Sequence, residues 1–164
     1  MKKKLLMGCA LTSLVFAADT LIKKKADEKL PEGRVPLLGE HLFLLKHHNR
    51  GAALNFGQKR QKWIAAISCI MTFGALIFFV LGLKRQGERL SFAGCSLLLG
   101  GALSNTSDRV IKGYVTDYLG IGHVVYNLSD FAIMIGAFLM CRSALLFRVD
   151  GVETGSRDLT GSVL

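Results

Sequence analysis

The chain has 164 residues, 51% of them hydrophobic, with a formal net charge of +9 and a mean hydropathy of +0.38. That length suits one domain, and the apolar fraction exceeds that of ordinary soluble domains. Charged residues, 20% of the chain, fall in blocks between apolar runs, which excludes an evenly mixed soluble core. Nucleic-acid binding is also disfavoured, because the basic blocks flank apolar spans without interleaved aromatics. Anionic lipid head groups match the positive surplus better.

In chain order, the first apolar stretch runs from about Leu5 to Ile22. Met1-Lys-Lys-Lys4 before it and Val15-Phe-Ala-Ala18 within it resemble a cleavable secretory signal. Leu6-Met-Gly-Cys9 mimics a lipoprotein box but stands ahead of most of the apolar run. Asp19 and Lys23, at i and i+4 in the better orientation for a helical acid–base pair, favour a retained membrane helix. A loop follows from Lys23 to Lys62. Its middle, punctuated by Pro36 and Gly39, predicts a small β element on the membrane surface, with Leu42 to Lys46 as a strand and Asn49-Arg50-Gly51 as a turn.

The second stretch, Trp63 to Leu83, holds no charge in 21 residues. At about 1.5 Å per residue it crosses a hydrocarbon core of about 30 Å. Trp63 reads as an interfacial anchor. The third begins near Leu90, where Gly94, Gly100, Gly101, Ala93 and Ala102 would let helices approach closely. It turns polar at Ser104. The fourth runs from about Val124 to Phe147, with Asp130 in its first turns and Arg142 able to snorkel. The fold expected is therefore a mainly α membrane protein of four transmembrane helices, with the β element between helices 1 and 2. It divides into a membrane domain, 1–149, carrying the surface loop 23–62, and a Gly/Ser/Thr-rich tail, 150–164, expected to be disordered.

Asp117 and Asp130 stand at the shared end of the last two apolar stretches, among Asn105-Thr-Ser-Asp108-Arg109 and Asn127-Leu-Ser129. An ionised carboxylate near hydrocarbon costs several kcal/mol, so acids placed there usually have a function. Two at one depth can share a proton, which is how paired carboxylates hydrolyse an amide. The alternative is that each caps a helix, Asp117 at an end and Asp130 at a start. Cys9, Cys69, Cys95 and Cys141 form no Cys-x-x-Cys pair and have no histidine at ligand spacing. The adjacent rings of His47 and His48 would point apart on a strand. Neither residue type suggests a metalloenzyme.

The polar islands, taken in order, resemble the motifs of the lipoprotein signal peptidase (signal peptidase II) family. Asp19-x-x-x-Lys23 is similar to its first-helix motif, and Asn49-Arg-Gly51-Ala-Ala-Leu54 to its Asn-x-Gly-Ala-Ala-Phe loop. Gly100-Gly-Ala-Leu-Ser-Asn105-Thr-Ser-Asp108-Arg109 with Val115-Thr-Asp117-Tyr118 resembles Gly-Gly-Ala-Leu-Gly-Asn-x-x-Asp-Arg…Val-x-Asp-Phe. Tyr126-Asn127-Leu-Ser-Asp130 is similar to Phe-Asn-x-Ala-Asp. Ser104, Leu54 and Ser129 depart from the usual Gly, Phe and Ala.

The resemblance implies an aspartyl endopeptidase that cuts signal peptides from diacylglyceryl-modified prolipoproteins, N-terminal to the lipidated cysteine. It implies Asp117 and Asp130 as the catalytic pair and no metal or organic cofactor. It also implies a multi-pass protein of the bacterial plasma membrane, monomeric and in contact with membrane lipids, with its active site toward the outer face. Asn105 and Asn127 are expected to orient the pair or the substrate backbone, unless they only stabilise a helix interface. Asp108 and Arg109 read as a structural pair, with Arg109 ordering the loop that carries Asp117. Asp19 and Lys23 either tie the first helix to the surface loop or simply pair with each other. Asn49 and Gly51 form a turn over the site or a plain hairpin turn, with Gly51 free to take a positive φ. A small transporter using the acids as an ion relay and a non-catalytic assembly protein are the competing classes.

Overall fold

The structure, a computed structural model, describes residues 1–39, 41–51, 57–84 and 89–160, with the side chains of the last helix described as far as Leu145. Helix α1 covers Lys2–Lys29, strands β1 and β2 cover Val35–Leu38 and Leu42–Asn49, and α2 covers Gln61–Lys84. Then come α3, Arg89–Ile111, strands β3 and β4 at Val115–Ile121 and Val124–Tyr126, and α4, Leu128–Thr160. Among the described residues three helices, α1, α2 and α4 over Leu128–Leu145, are long and apolar enough to cross a membrane. Leu54 lies outside the described residues.

Burial is inverted relative to a water-soluble protein. The α2 side chains Ile70, Met71, Phe73 and Phe78 are exposed, as is Trp63 at its start. Lys23, Asp19, Asn127, Ser104 and Ser129 are among the most deeply buried side chains of all. An apolar exterior over a polar interior is stable where the surrounding solvent is hydrocarbon, because lipid tails are as apolar as leucine.

Helix α3 sits at the centre, packed on α1, α2 and α4. Its glycines set those spacings. A Cβ on Gly94 would lie 2.7 Å from the Gly136 carbonyl oxygen of α4, one on Gly101 2.6 Å from that of Ser129, and one on Gly100 2.8 Å from that of Thr12. Hydroxyls bond across the same contacts: Thr12 donates to the Ser96 carbonyl at 3.0 Å, and Thr72 and Thr106 meet at 2.7 Å.

The β element is larger than the sequence predicted and is not confined to the first loop. It is one antiparallel sheet of order β1-β2-β3-β4, so half of it comes from the α3–α4 connection. The apolar stretch from Val124 therefore divides: Val124–Tyr126 form β4, and helix begins only at Leu128. Val115-Thr-Asp-Tyr-Leu-Gly-Ile is rich in β-formers, and Gly122, at φ +61°, turns the chain back on itself. Strand β2 extends to Asn49 because β3 pairs with it as far as Asn49↔Val115. Phe43 lies opposite Gly120, whose missing Cβ leaves room for the ring. Pro36 falls in β1, an edge strand, where a missing N–H is tolerated. The described backbone of α4 runs to Thr160. Extending an existing helix adds one hydrogen bond per residue fixed, without a new nucleation cost.

Candidate active site

The β2–β3 pairing joins the α1–α2 and α3–α4 connections over one end of the bundle. Asp117 projects from β3, not from a helix end as its capping reading required. Asp130 occupies the first turn of α4. Asn127, the residue before that helix, links the two. Its Nδ2 donates to Asp117 Oδ1 at 2.6 Å, its Oδ1 accepts the Asp130 amide at 3.0 Å, and its own amide donates to Asp130 Oδ2 at 3.1 Å. The last two bonds form a reciprocal capping box that satisfies otherwise orphaned helix donors. Asp130 thus does cap the start of α4 while presenting a carboxylate toward the site.

Each carboxylate accepts a second amide donor. Asn49 Nδ2 reaches Asp117 Oδ2 at 3.2 Å, and Asn105 Nδ2 reaches Asp130 Oδ1 at 3.0 Å. Burial, followed by the charge of Asp130, pushes the Asp117 carboxyl up to about 6, against the opposing pull of Asn127, Asn49 and Lys23. Tyr118, the next residue on β3, accepts the Leu128 amide at 3.0 Å, and burial pushes its phenol up to about 12. A buried pair of carboxylates with one raised into the weakly acidic range can hold one proton between them and exchange it with a substrate.

Asp19 and Lys23 do form an ion pair, at 2.7 Å and almost fully buried. Among the described residues they tie α1 to α3 and α4 rather than to the surface loop. Asp19 accepts from Ser104 Oγ and Ser129 Oγ, each at 2.6 Å, and from the Ser129 amide at 3.2 Å. Lys23 donates to Asn105 Oδ1 at 2.7 Å and lies 3.3 Å from Asp108. The tie from α1 to the sheet falls instead to Asp27, which accepts from Thr116 at 3.0 Å and meets His48 at 2.9 Å.

Asp108 and Arg109 do not pair with each other, since consecutive helical residues point in different directions. Asp108 meets Lys23 and, at 2.9 Å, Lys112. Arg109 donates to the Asn105 carbonyl at 3.4 Å and to the Gly51 carbonyl at 3.3 Å, and its charge acts on both Asp117 and Asp130. Its link is therefore to the Asn49–Gly51 turn. That turn is an Asx turn, with the Gly51 amide donating to Asn49 Oδ1 at 3.0 Å. The side-chain bond closes the turn at Gly51.

Sequence reasoning missed three participants. Thr116 and Tyr118 stand in the motif around Asp117 without an assigned role, and with Asp27 they meet their partners only once the sheet has set β3 against α1 and the start of α4. His47, set aside as a metal ligand, stands directly opposite Asp117 in the β2–β3 register, a position visible only once the strands are paired. Among the described residues no cluster of His, Cys, Asp or Glu could hold a metal ion.

The sequence model described as signal peptidase (SPase) II matches residues 11–146. The lipoprotein signal peptidase of Caldicellulosiruptor bescii is 32% identical over 139 residues, covering 84% of this chain and 89% of that protein. That of Coxiella burnetii is 33% identical over 144 residues, 83% of this chain and 88% of the relative. A bacterial membrane enzyme solved by the in meso method at 2.3 Å superposes with a TM-score of 0.75 at 23% identity, covering 85% of this chain and 87% of the other, which establishes the shared fold. With the family pattern matched across all four helices and relatives this similar over most of their length, the chain belongs to the signal peptidase II family of membrane aspartic peptidases.

Proposed function

We propose that this chain cuts the signal peptide from diacylglyceryl-modified prolipoproteins on the N-terminal side of the lipidated cysteine, with Asp117 and Asp130 as the catalytic pair. The observation that carries the reading is the bridge through Asn127, which touches both carboxylates and presents them together beneath the Asn49–Gly51 turn. The ionised carboxylate takes a proton from water as the water oxygen bonds to the scissile carbonyl carbon. The protonated partner gives its proton to the carbonyl oxygen. When the resulting gem-diol collapses, a proton passes to the nitrogen and the C–N bond breaks. The signal peptide leaves with a new carboxyl terminus and the cysteine with a free amine. Each step moves only protons and the water oxygen, so the two acids suffice and no cofactor is required.

Asn105, Asn49 and Arg109 support the pair from three sides, and Asp19, Lys23 and Asp108 hold α1 and α3 in register beneath it. Helix α3 serves as the fourth span. Its first half is apolar, and its polar second half faces α1, α4 and the site, so it need not meet lipid all round. The protein acts as a monomer in the bacterial plasma membrane, with cytoplasmic termini and the sheet and dyad at the outer face. The Met1-Lys-Lys-Lys4 run supports that orientation. Purified protein in detergent, given a lipid-modified precursor and its unlipidated counterpart, tests the reading. Cleavage of the lipidated form alone is expected, and no cleavage of either would overturn it.

A further inference from the structure

Among the described residues, one carboxylate oxygen gathers an unusual set of donors. Asp19 Oδ2 accepts Lys23 Nζ at 2.7 Å and the hydroxyls of Ser104 and Ser129 at 2.6 Å each. All four side chains are at most 1% exposed. Ser104 also accepts from Lys23 at 3.3 Å, so it lies within the ion pair rather than beside it. These two serines stand where the sequence departs from the small apolar residues of the family pattern.

The consequence runs outward from Asp19. Lys23 is held between Asp19 and Asn105 Oδ1, both at 2.7 Å. An ammonium has donors only, so Asn105 must turn its oxygen toward Lys23 and its NH2 toward the other side. That NH2 is the group that donates to Asp130 Oδ1 at 3.0 Å. The amide cannot flip without setting its own NH2 against the ammonium. The serine hydroxyls take up part of the Asp19 charge, which leaves Lys23 shared between Asp19 and Asn105 instead of collapsed onto the carboxylate alone.

We infer that Ser104 and Ser129 are positioning residues for Asp130, acting through Asp19, Lys23 and Asn105 to keep an amide donor aimed at its carboxylate. The inference rests on the catalytic role proposed for Asp130. Without the hydroxyls, Asp19 draws Lys23 in, Asn105 loses its fixed orientation, and the ionised form of Asp130 loses a donor. A group that must be ionised for the reaction then picks up its proton at higher pH, so the acid limb of the rate profile moves upward.

The test compares Ser104→Ala/Ser129→Ala and Ser129→Ala with the parent in detergent, using a lipidated precursor and measuring kcat, KM, pH profile and melting temperature. Ser96→Ala serves as the control, since Ser96 is a buried hydroxyl on the helix of Ser104 that, among the described residues, bonds the Phe92 carbonyl one turn back. In the double variant kcat should fall about tenfold, with KM within about twofold. Its acid limb should rise by about half a pH unit. Ser129→Ala should show the same shift at smaller size, and Ser96→Ala none. An unmoved acid limb in folded protein, or a rate loss equal to the unfolded fraction, overturns the inference; should the double variant not fold, the limb of Ser129→Ala decides. Asp117→Asn is run alongside: if it still cleaves, the catalytic reading itself falls. If it is dead while the serine variants behave as the parent, only the positioning role falls.

Discussion

Asn127 and Asp130 hold each other reciprocally, amide to side chain in both directions, at 3.0 and 3.1 Å. A helix cap and half of the proposed dyad are thus one structure. The bond that starts α4 also fixes the Asp130 carboxylate, and the free arm of Asn127 fixes that of Asp117. Positioning on a helix terminus and on a paired strand, rather than on a loose loop, keeps both acids preorganised, which is where such catalysis draws most of its rate.

Asp117→Asn and Asp130→Asn keep shape and hydrogen-bonding capacity but cannot share or transfer a proton. Each should lower turnover by orders of magnitude. Both should still insert and bind lipidated precursor. Processing of precursor at matched protein levels reads the outcome, and near-parental cleavage by Asp117→Asn would remove the carboxylate pair from the mechanism.

The raised Asp117 carboxyl makes a prediction about stability with a definite sign. Its folded value of about 6 lies above the ordinary 3.8, so the folded state binds the proton more tightly than the unfolded one. The resulting stabilisation is complete below about 3.8 and is lost as pH rises through about 6. Asp117→Asn, permanently neutral, should therefore melt higher than the parent at pH 8, with the gap closing toward pH 4. A gap independent of pH would contradict the assignment.

Lys23→Met strands Asp19 and loosens Asp108 in a nearly water-free interior. Removing one partner of a buried pair typically costs about 3–5 kcal/mol. A large fall in melting temperature is expected even where some protein still inserts. Asp108→Asn should likewise act mainly on folding, since Asp108 bonds Lys23, Lys112 and the Thr116 amide rather than the dyad.

Gly101→Leu should separate α3 from α4, because even a Cβ there would sit 2.6 Å from the Ser129 carbonyl oxygen. Overpacking of this kind costs about 1–3 kcal/mol or more. Gly74→Leu, where a Cβ meets nothing within 4 Å, is the matched control. Equal melting temperatures for the two variants would refute the packing argument.

Topology can be read with a membrane-impermeant thiol label. A cysteine placed at position 86, in the α2–α3 connection, is expected to stay unlabelled in intact cells while one at position 33 reacts. The three exposed native cysteines require a cysteine-free background. Ready labelling at 86 would invert the orientation.

Hydropathy and spacing alone located the membrane-capable helices, because the composition of a span is dictated by the solvent around it. The order of the polar islands along the chain carried the family. The small residues of α3 also announced a close-packed helix, since nothing larger fits at such crossings. What the sequence could not contain is pairing across distance. Strand β4 looks like the start of an apolar helix until β3, itself paired with β2, supplies its hydrogen bonds. Asp108 and Arg109 look like partners until the helix turns them apart. Lys23 looks like half of a surface ion pair until α3 and α4 close over it. Asn49 meets Val115 across the sheet, Arg109 reaches the Gly51 carbonyl and Lys23 reaches Asn105, all distant along the chain, and a buried polar group goes wherever folding offers it a hydrogen bond.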